Sequence, residues 1–173
     1  MPNMASILSD HNARVCGNDQ DEELQRNCNC RKPDDCPLNG QCLRREIVYQ
    51  ATVETDDGAL PMIYIGASGT SFKQRLANHK ASFSHVAKEN STELSKHVWW
   101  LKRAGKSYDI KWKLLQRARS YSNCSKRCNL CLAEKLAILD ANRATLLNKR
   151  SELISKCRHE NKFYLSNFAR LIP

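Results

Sequence analysis

Ile47-Val48-Tyr49-Gln50-Ala51-Thr52-Val53-Glu54, then Asp56-Asp57-Gly58, then Met62-Ile63-Tyr64-Ile65-Gly66 is the stretch that decides the fold. Ile47, Tyr49, Ala51 and Val53 recur at every second position, as a strand with one buried face requires. The Asp-Asp-Gly triplet is turn chemistry, so the two runs are expected to pair as a β-hairpin. Downstream, Ser71 with Gln74 three residues on forms a capping box for a helix with Phe72, Leu76 and Phe83 on one face. Arg75 and His79 lie one turn apart beside that face. Ser91 or Thr92 opens a second helix striped by Leu94, Val98 and Leu101 and ended at Gly105. Tyr108, Ile110, Trp112 and Leu114 alternate with Asp109, Lys111 and Lys113, which predicts a third strand. After a Ser/Asn/Cys loop, Leu132, Leu136 and Leu139 predict the buried stripe of a third helix from about Asn129 to Asn142, followed by a short extended Leu146-Leu147-Asn148. The expected class is α+β, a small three-stranded antiparallel sheet flanked by helices, with a Cys-rich zinc-binding segment on its N-terminal side.

The chain has 173 residues, 41% of them hydrophobic, which fits one compact domain. No apolar run is long enough to span a bilayer, and no secretory signal pattern stands at the N-terminus, so the cysteines are expected to be reduced. Net charge is +10. Residues 1–27 hold two arginines against five carboxylates, so residues 28–173 carry about +13. That excess suits a phosphate backbone. Lys102, Arg103, Lys106, Lys111, Lys113, Arg117 and Arg119, interleaved with Trp99, Trp100, Tyr108 and Trp112, are the expected tracking surface, with Lys111 and Lys113 the foremost phosphate contacts.

Residues 1–27 are acidic and without periodicity, expected to be a disordered leader or linker. Residues 28–45 hold Cys28, Cys30, Cys36 and Cys42 among prolines and a glycine, a loop that needs a staple and has the composition of a four-thiolate zinc site. Cys128 and Cys131 form a zinc half-site that Cys157 and His159 can complete, with Cys124 as an alternative ligand and Cys16 unpaired. Such a site would pin the third helix, which carries Glu134, to the C-terminal region.

Several dispersed strings are shared, in order, with one family. Cys36 to Gly40 reads Cys-Pro-Leu-Asn-Gly, and Glu93-Leu94-Ser95-Lys96, Ile110-Lys111-Trp112, Ser125 to Cys131, Leu147-Asn148-Lys149-Arg150 and Ser155 to His159 follow. With Tyr64-Ile65-Gly66 they make the chain resemble a GIY-YIG nuclease, most closely the endonuclease domain of Penelope-like retroelements, over about residues 28–163. The resemblance implies a nuclease domain over 46–163, with 164–173 as a tail. Tyr49 would activate or position the attacking water, with Tyr64 opposite it. Arg75 would clamp the scissile phosphate, Glu134 would hold one Mg²⁺ or Mn²⁺, and Asn148 would position Glu134 or the nearby backbone. His79 is the foremost helper base, with Lys80 and His85 as alternatives. The first motif, Ile47-Val48-Tyr49, lacks the family's glycine. The implied activity is nicking of DNA to give a 3′ end for reverse transcription by a separate polymerase, in the nucleus. A zinc-containing nucleic-acid-binding module without catalysis is the competing expectation.

Overall fold

In the computed structural model, residues 27–118, 121–122 and 125–149 are described. Strand β1 (Ile47–Thr55) pairs antiparallel with β2 (Met62–Ser68) on one side and with β3 (Tyr108–Arg117) on the other, in the order β2-β1-β3. Helices α1 (Phe72–Ser84) and α2 (Glu93–Arg103) link β2 to β3, joined by a 3₁₀ turn over Val86–Ser91. Helix α3 (Asn129–Asp140) follows β3. The α+β class and the three-stranded sheet flanked by helices are as the sequence leads one to expect.

The central strand is buried on both faces, because each face carries its own core. Ile47, Tyr49, Ala51 and Val53 pack with Phe72, Leu76, Leu94, Val98 and Leu101 of α1 and α2. On the other face, Val48 and Ile65 pack with Leu130, Ala133 and Ile138 of α3. Ser71 caps α1 by accepting from the Gln74 N–H at 3.4 Å, and Thr92 caps α2 by accepting from the Ser95 N–H at 3.1 Å. Gly105, with φ +66°, takes the left-handed position that ends α2.

Four expectations need correction. The Ser/Asn/Cys loop contains a small hairpin, β4 (Tyr121–Ser122) with β5 (Ser125–Cys128). Helix α3 turns the opposite face inward from the one expected: Leu130, Ala133 and Ile138 are buried, while Leu132, Leu136 and Leu139 are exposed. The helix is apolar on both sides, and the face with the small Ala133 and Ala137 lies closest to the sheet. Tyr64 does not stand opposite Tyr49. The register pairs Tyr49 with Gly66 and Tyr64 with Ala51, which places the two phenols diagonally on one face. Finally, three of the seven basic residues expected to track phosphate are matched internally: Arg103 forks onto Glu89, Lys106 reaches Asp57 and Lys111 reaches Glu54, each at 2.6 Å at its closest.

The β1–β3 register shifts between Val48 and Tyr49, leaving Leu115 as the extra residue of a bulge. Leu114 therefore joins the first core and Leu115 the second. The bulge falls beside Tyr49. Among the described residues, no helix is long and apolar enough to cross a membrane.

Candidate active site and metal knot

Tyr49, Tyr64, Arg75 and His79 converge on the α1 side of the sheet. Tyr49 is fully buried, its ring edge-on to Phe72 at 5.2 Å and tilted against Trp112 at 5.9 Å. Its hydroxyl is held from two sides: the Arg75 Nε–H donates to it at 2.9 Å, and His79 Nε2 lies 2.7 Å away. Burial, opposed only in part by Arg75, pushes the Tyr49 phenol well above its ordinary range. Burial first, and the Arg75 charge second, push His79 down to about 3, so the imidazole is neutral at physiological pH. A protonated phenol needs an acceptor and Arg75 can only donate. The phenol proton is therefore directed at Nε2 of His79.

Tyr64 is raised by burial, with the Arg75 guanidinium acting against it and the Glu134 carboxylate acting with it. Glu134, half-buried on α3, acts on Tyr49 in the same direction. The Arg75 guanidinium and the Glu134 carboxylate thus act with opposite sign on the same pair of tyrosines. His79 lies on the buried face of α1 instead of beside it, whereas Lys80 and His85 are exposed.

Gly66 has a steric reason to be glycine. A Cβ there would stand 2.5 Å from the Tyr49 hydroxyl oxygen and 2.7 Å from Cζ, so the phenol lies directly over its cross-strand partner. Asn148 serves the backbone. Its Oδ1 accepts from the Ile65 N–H at 2.7 Å and its Nδ2 donates to the Ile65 carbonyl at 2.8 Å, continuing a parallel pairing that begins with Leu146 and Ile63. One carboxamide so replaces a strand residue and fixes β2 between Tyr64 and Gly66. Sequence reasoning assigns no role to Glu93. It sits in the first turn of α2, pairs with Lys96 at 2.7 Å and Lys149 at 3.5 Å, and adds a second carboxylate acting on Tyr64. Its only sequence signal is membership of the Glu93–Lys96 string.

The sulfurs of Cys28, Cys30, Cys36 and Cys42 all lie within 4.8 Å of one another. Cys30 and Cys42 are 3.7 Å apart, Cys42 and Cys28 3.6 Å. A tetrahedral four-thiolate zinc with bonds of ~2.3 Å requires sulfurs about 3.8 Å apart, so the residues present fit that ion. The Cys-Pro-Leu-Asn-Gly run explains itself here. Asn39 and Gly40 take φ +48° and +85° and wrap the chain around Cys36. Burial pushes the Cys36 thiol up, but the backbone N–H groups of Leu38, Gly40 and Cys42 outweigh it and bring the thiol to about 6. Burial pushes Cys42 up to about 12. A cation bound among the four sulfurs would hold them as thiolates.

This knot is welded to the site. The Cys42 and Arg44 carbonyls accept from the Lys73 and Phe72 N–H groups at 2.8 and 3.2 Å, taking two orphan donors of the first turn of α1. Leu38 enters the main core. The helix presenting Arg75 and His79 therefore starts on the cysteine loop. Of the second expected zinc set, Cys128 and Cys131 pack in the apolar cluster under α3, while Cys157, His159 and the alternative Cys124 lie outside the described residues.

Comparison with protein-family models, curated proteins and solved structures finds no match.

Proposed function

We propose that the chain is a divalent-metal-dependent nuclease that hydrolyses DNA phosphodiester bonds. Within that class we read it as a GIY-YIG-type endonuclease domain of the kind carried by Penelope-like retroelements, nicking one strand. The Arg75–Tyr49–His79 chain of hydrogen bonds is the observation that carries the reading. Ile47 stands where that family's first motif has glycine. Its side chain is fully buried in the main core, so the departure is accommodated by packing and leaves Tyr49 in place.

Arg75 commits Nε to Tyr49, and its remaining donors suit the non-bridging oxygens of a phosphate. A phosphate seated there offsets the guanidinium charge, one of the two causes that hold His79 low, and raises the basicity of the imidazole. A water attacking phosphorus then passes a proton to the Tyr49 oxygen while the phenol proton moves to Nε2 of His79. The products are a 5′-phosphate and a 3′-oxygen that takes its proton from solvent. Glu134 offers a single half-buried carboxylate, a hard oxygen donor that suits Mg²⁺ or Mn²⁺ with a shell completed by water. An ion bound there supplies Lewis-acid stabilisation of the charge on the phosphoryl and leaving oxygens. Zn²⁺ on the four cysteines has a structural role.

The 3′ end suits priming by a reverse transcriptase partner, and the DNA target implies a nuclear location. Supercoiled plasmid with Mg²⁺ tests the reading. The intact chain is expected to open the plasmid to the nicked form, and Glu134→Ala and Tyr64→Phe to lower the rate by about 100-fold or more. Plasmid binding with no metal-dependent nick would leave a zinc-containing nucleic-acid-binding module and end the enzyme proposal.

A further inference from the structure

Lys96 and Lys149 share a single carboxylate. Glu93, in the first turn of α2, pairs with Lys96 at 2.7 Å and with Lys149 at 3.5 Å. Two ammonium groups on one carboxylate leave one positive charge in surplus. Lys149 is the looser and the more exposed of the two, its side chain 59% exposed against 38% for Lys96. Elsewhere on α2, on β3 and between them, Arg103, Lys106 and Lys111 each meet a carboxylate of their own, at Glu89, Asp57 and Glu54. An exposed pair such as Lys149–Glu93 adds little to stability, so its ammonium is open to a competing anion.

Backbone contacts fix where this surplus charge stands. Leu147 donates to the Ile63 carbonyl at 2.8 Å, and the Asn148 carboxamide grips Ile65 at 2.7 and 2.8 Å, so Lys149 leaves the edge of β2 beside the peptide that joins Tyr64 to Gly66. Its ammonium turns toward α2, the helix that packs on the same core as Tyr49 and Tyr64. Glu93 and Arg75 both act electrostatically on the Tyr64 phenol, with opposite sign. The Glu93–Lys149 pair and Arg75 are therefore both neighbours of Tyr64. Lysine is a compact charge on a flexible stem, which suits a single phosphate oxygen, whereas the planar fork of Arg75 suits two. A strand carries a phosphate on every nucleotide, so one phosphate at Arg75 brings an adjoining one to this surface.

We propose that Lys149 is a substrate-binding residue that takes a DNA phosphate adjoining the one at Arg75, exchanging the Glu93 carboxylate for a phosphate oxygen when DNA arrives. Glu93 holds Lys149 in the free protein and keeps Lys96 as its partner after the exchange. The inference deepens the nuclease reading and rests on it for the phosphate at Arg75. It does not require the chain to cut.

Binding of a fluorescent DNA duplex to the full-length zinc-loaded chain, without added Mg²⁺, is followed by anisotropy over a salt series. Each phosphate contact on duplex DNA contributes about 0.9 to the slope of log Kobs against log salt. Lys149→Gln is expected to lower that slope by about 0.9 and to weaken binding alike for all sequences. Lys149→Arg, which keeps the charge, is expected to restore the slope. Lys111→Gln removes an equal charge from a pair matched one to one, and is expected to leave the slope unchanged. Glu93→Gln is expected to tighten binding, and the gain is expected to shrink in the Lys149→Gln background, as an exchange between the two partners of Lys149 requires. Lys149 is exposed, so its variants should keep the thermal midpoint of the parent chain. A slope that Lys149→Gln leaves unchanged overturns the proposal and makes the ion pair a brace for residues 145–149 only. A slope that Lys111→Gln lowers as much overturns it in favour of diffuse charge. Failure of the parent chain to bind duplex at all ends the proposal together with the nucleic-acid reading, whereas binding with the expected slopes but no Mg²⁺-dependent nick ends the catalytic reading alone.

Discussion

Tyr49 and Gly66 face each other across β1 and β2, and the Tyr49 hydroxyl occupies the space that any side chain at position 66 would need. Gly66→Ala is therefore expected to lower stability by about 1–3 kcal/mol, the usual cost of overpacking. Urea unfolding measures it. The loss should be coupled to Tyr49: in a double-mutant cycle, Tyr49→Phe, which removes the closest atom, is expected to recover part of the Gly66→Ala cost. Strict additivity would show that the two residues do not compete for this space.

Metal removal is expected to reach helix α1. Because the Cys42 and Arg44 carbonyls cap the first turn of α1, chelation should lower the thermal midpoint and reduce helical ellipticity together. Cys42→Ser should lose bound zinc and reproduce both effects. A midpoint that does not move on chelation would rule out a structural ion at the four thiols.

Acid should destabilise the fold through His79. Its folded value is about 3 and an unfolded histidine titrates near 6.5, so between these limits the unfolded chain binds the extra proton. The His79 contribution is complete above pH ~6.5 and is lost as pH falls toward 3, with a slope of up to ~1.4 kcal/mol per pH unit. His97, also lowered by burial, acts in the same direction. His79→Gln should flatten the stability profile between pH 6.5 and 4 more than His97→Gln does, as followed by denaturant midpoints.

Asn148→Ala should expose the Ile65 N–H and carbonyl, with a loss of about 1–3 kcal/mol. Asn148→Asp is expected to be worse, because it sets a carboxylate against the Ile65 carbonyl. Hydrogen exchange at the Ile65 amide is the direct readout. Protection that is unchanged in Asn148→Ala would mean that another group satisfies this edge.

The hairpin, the third strand and both capped helices were legible because their signals are local: period-two burial, Asp-Asp-Gly, Ser71 and Thr92 as caps. The cysteine knot was legible for the same reason, since four thiols in a short polar loop have few other uses. What sequence could not order is set by tertiary choice. Helix α3 has leucines and alanines on both sides, so periodicity cannot say which face meets the sheet; close packing through Ala133 and Ala137 decides it. Lys111 of β3 and Lys106 just before it look like free cations until Glu54 and Asp57 are brought across from the hairpin. The partner of Asn148 lies 83 residues away, and only the fold shows that its target is the peptide between Tyr64 and Gly66.

The pairing of residues 145–148 along β2 has a further consequence for association. One margin of the sheet is sealed by the chain itself, through Thr145, Leu147 and the Asn148 carboxamide. Among the described residues the opposite margin is β3, whose Lys113 is a charge of the kind that discourages a foreign strand from docking. Sealing one margin removes half of the open edge by which small β-sheets fuse into ribbons or fibres. A partner strand is thus disfavoured at the β2 margin, and the two tyrosines, buried under α1, stay within their own subunit.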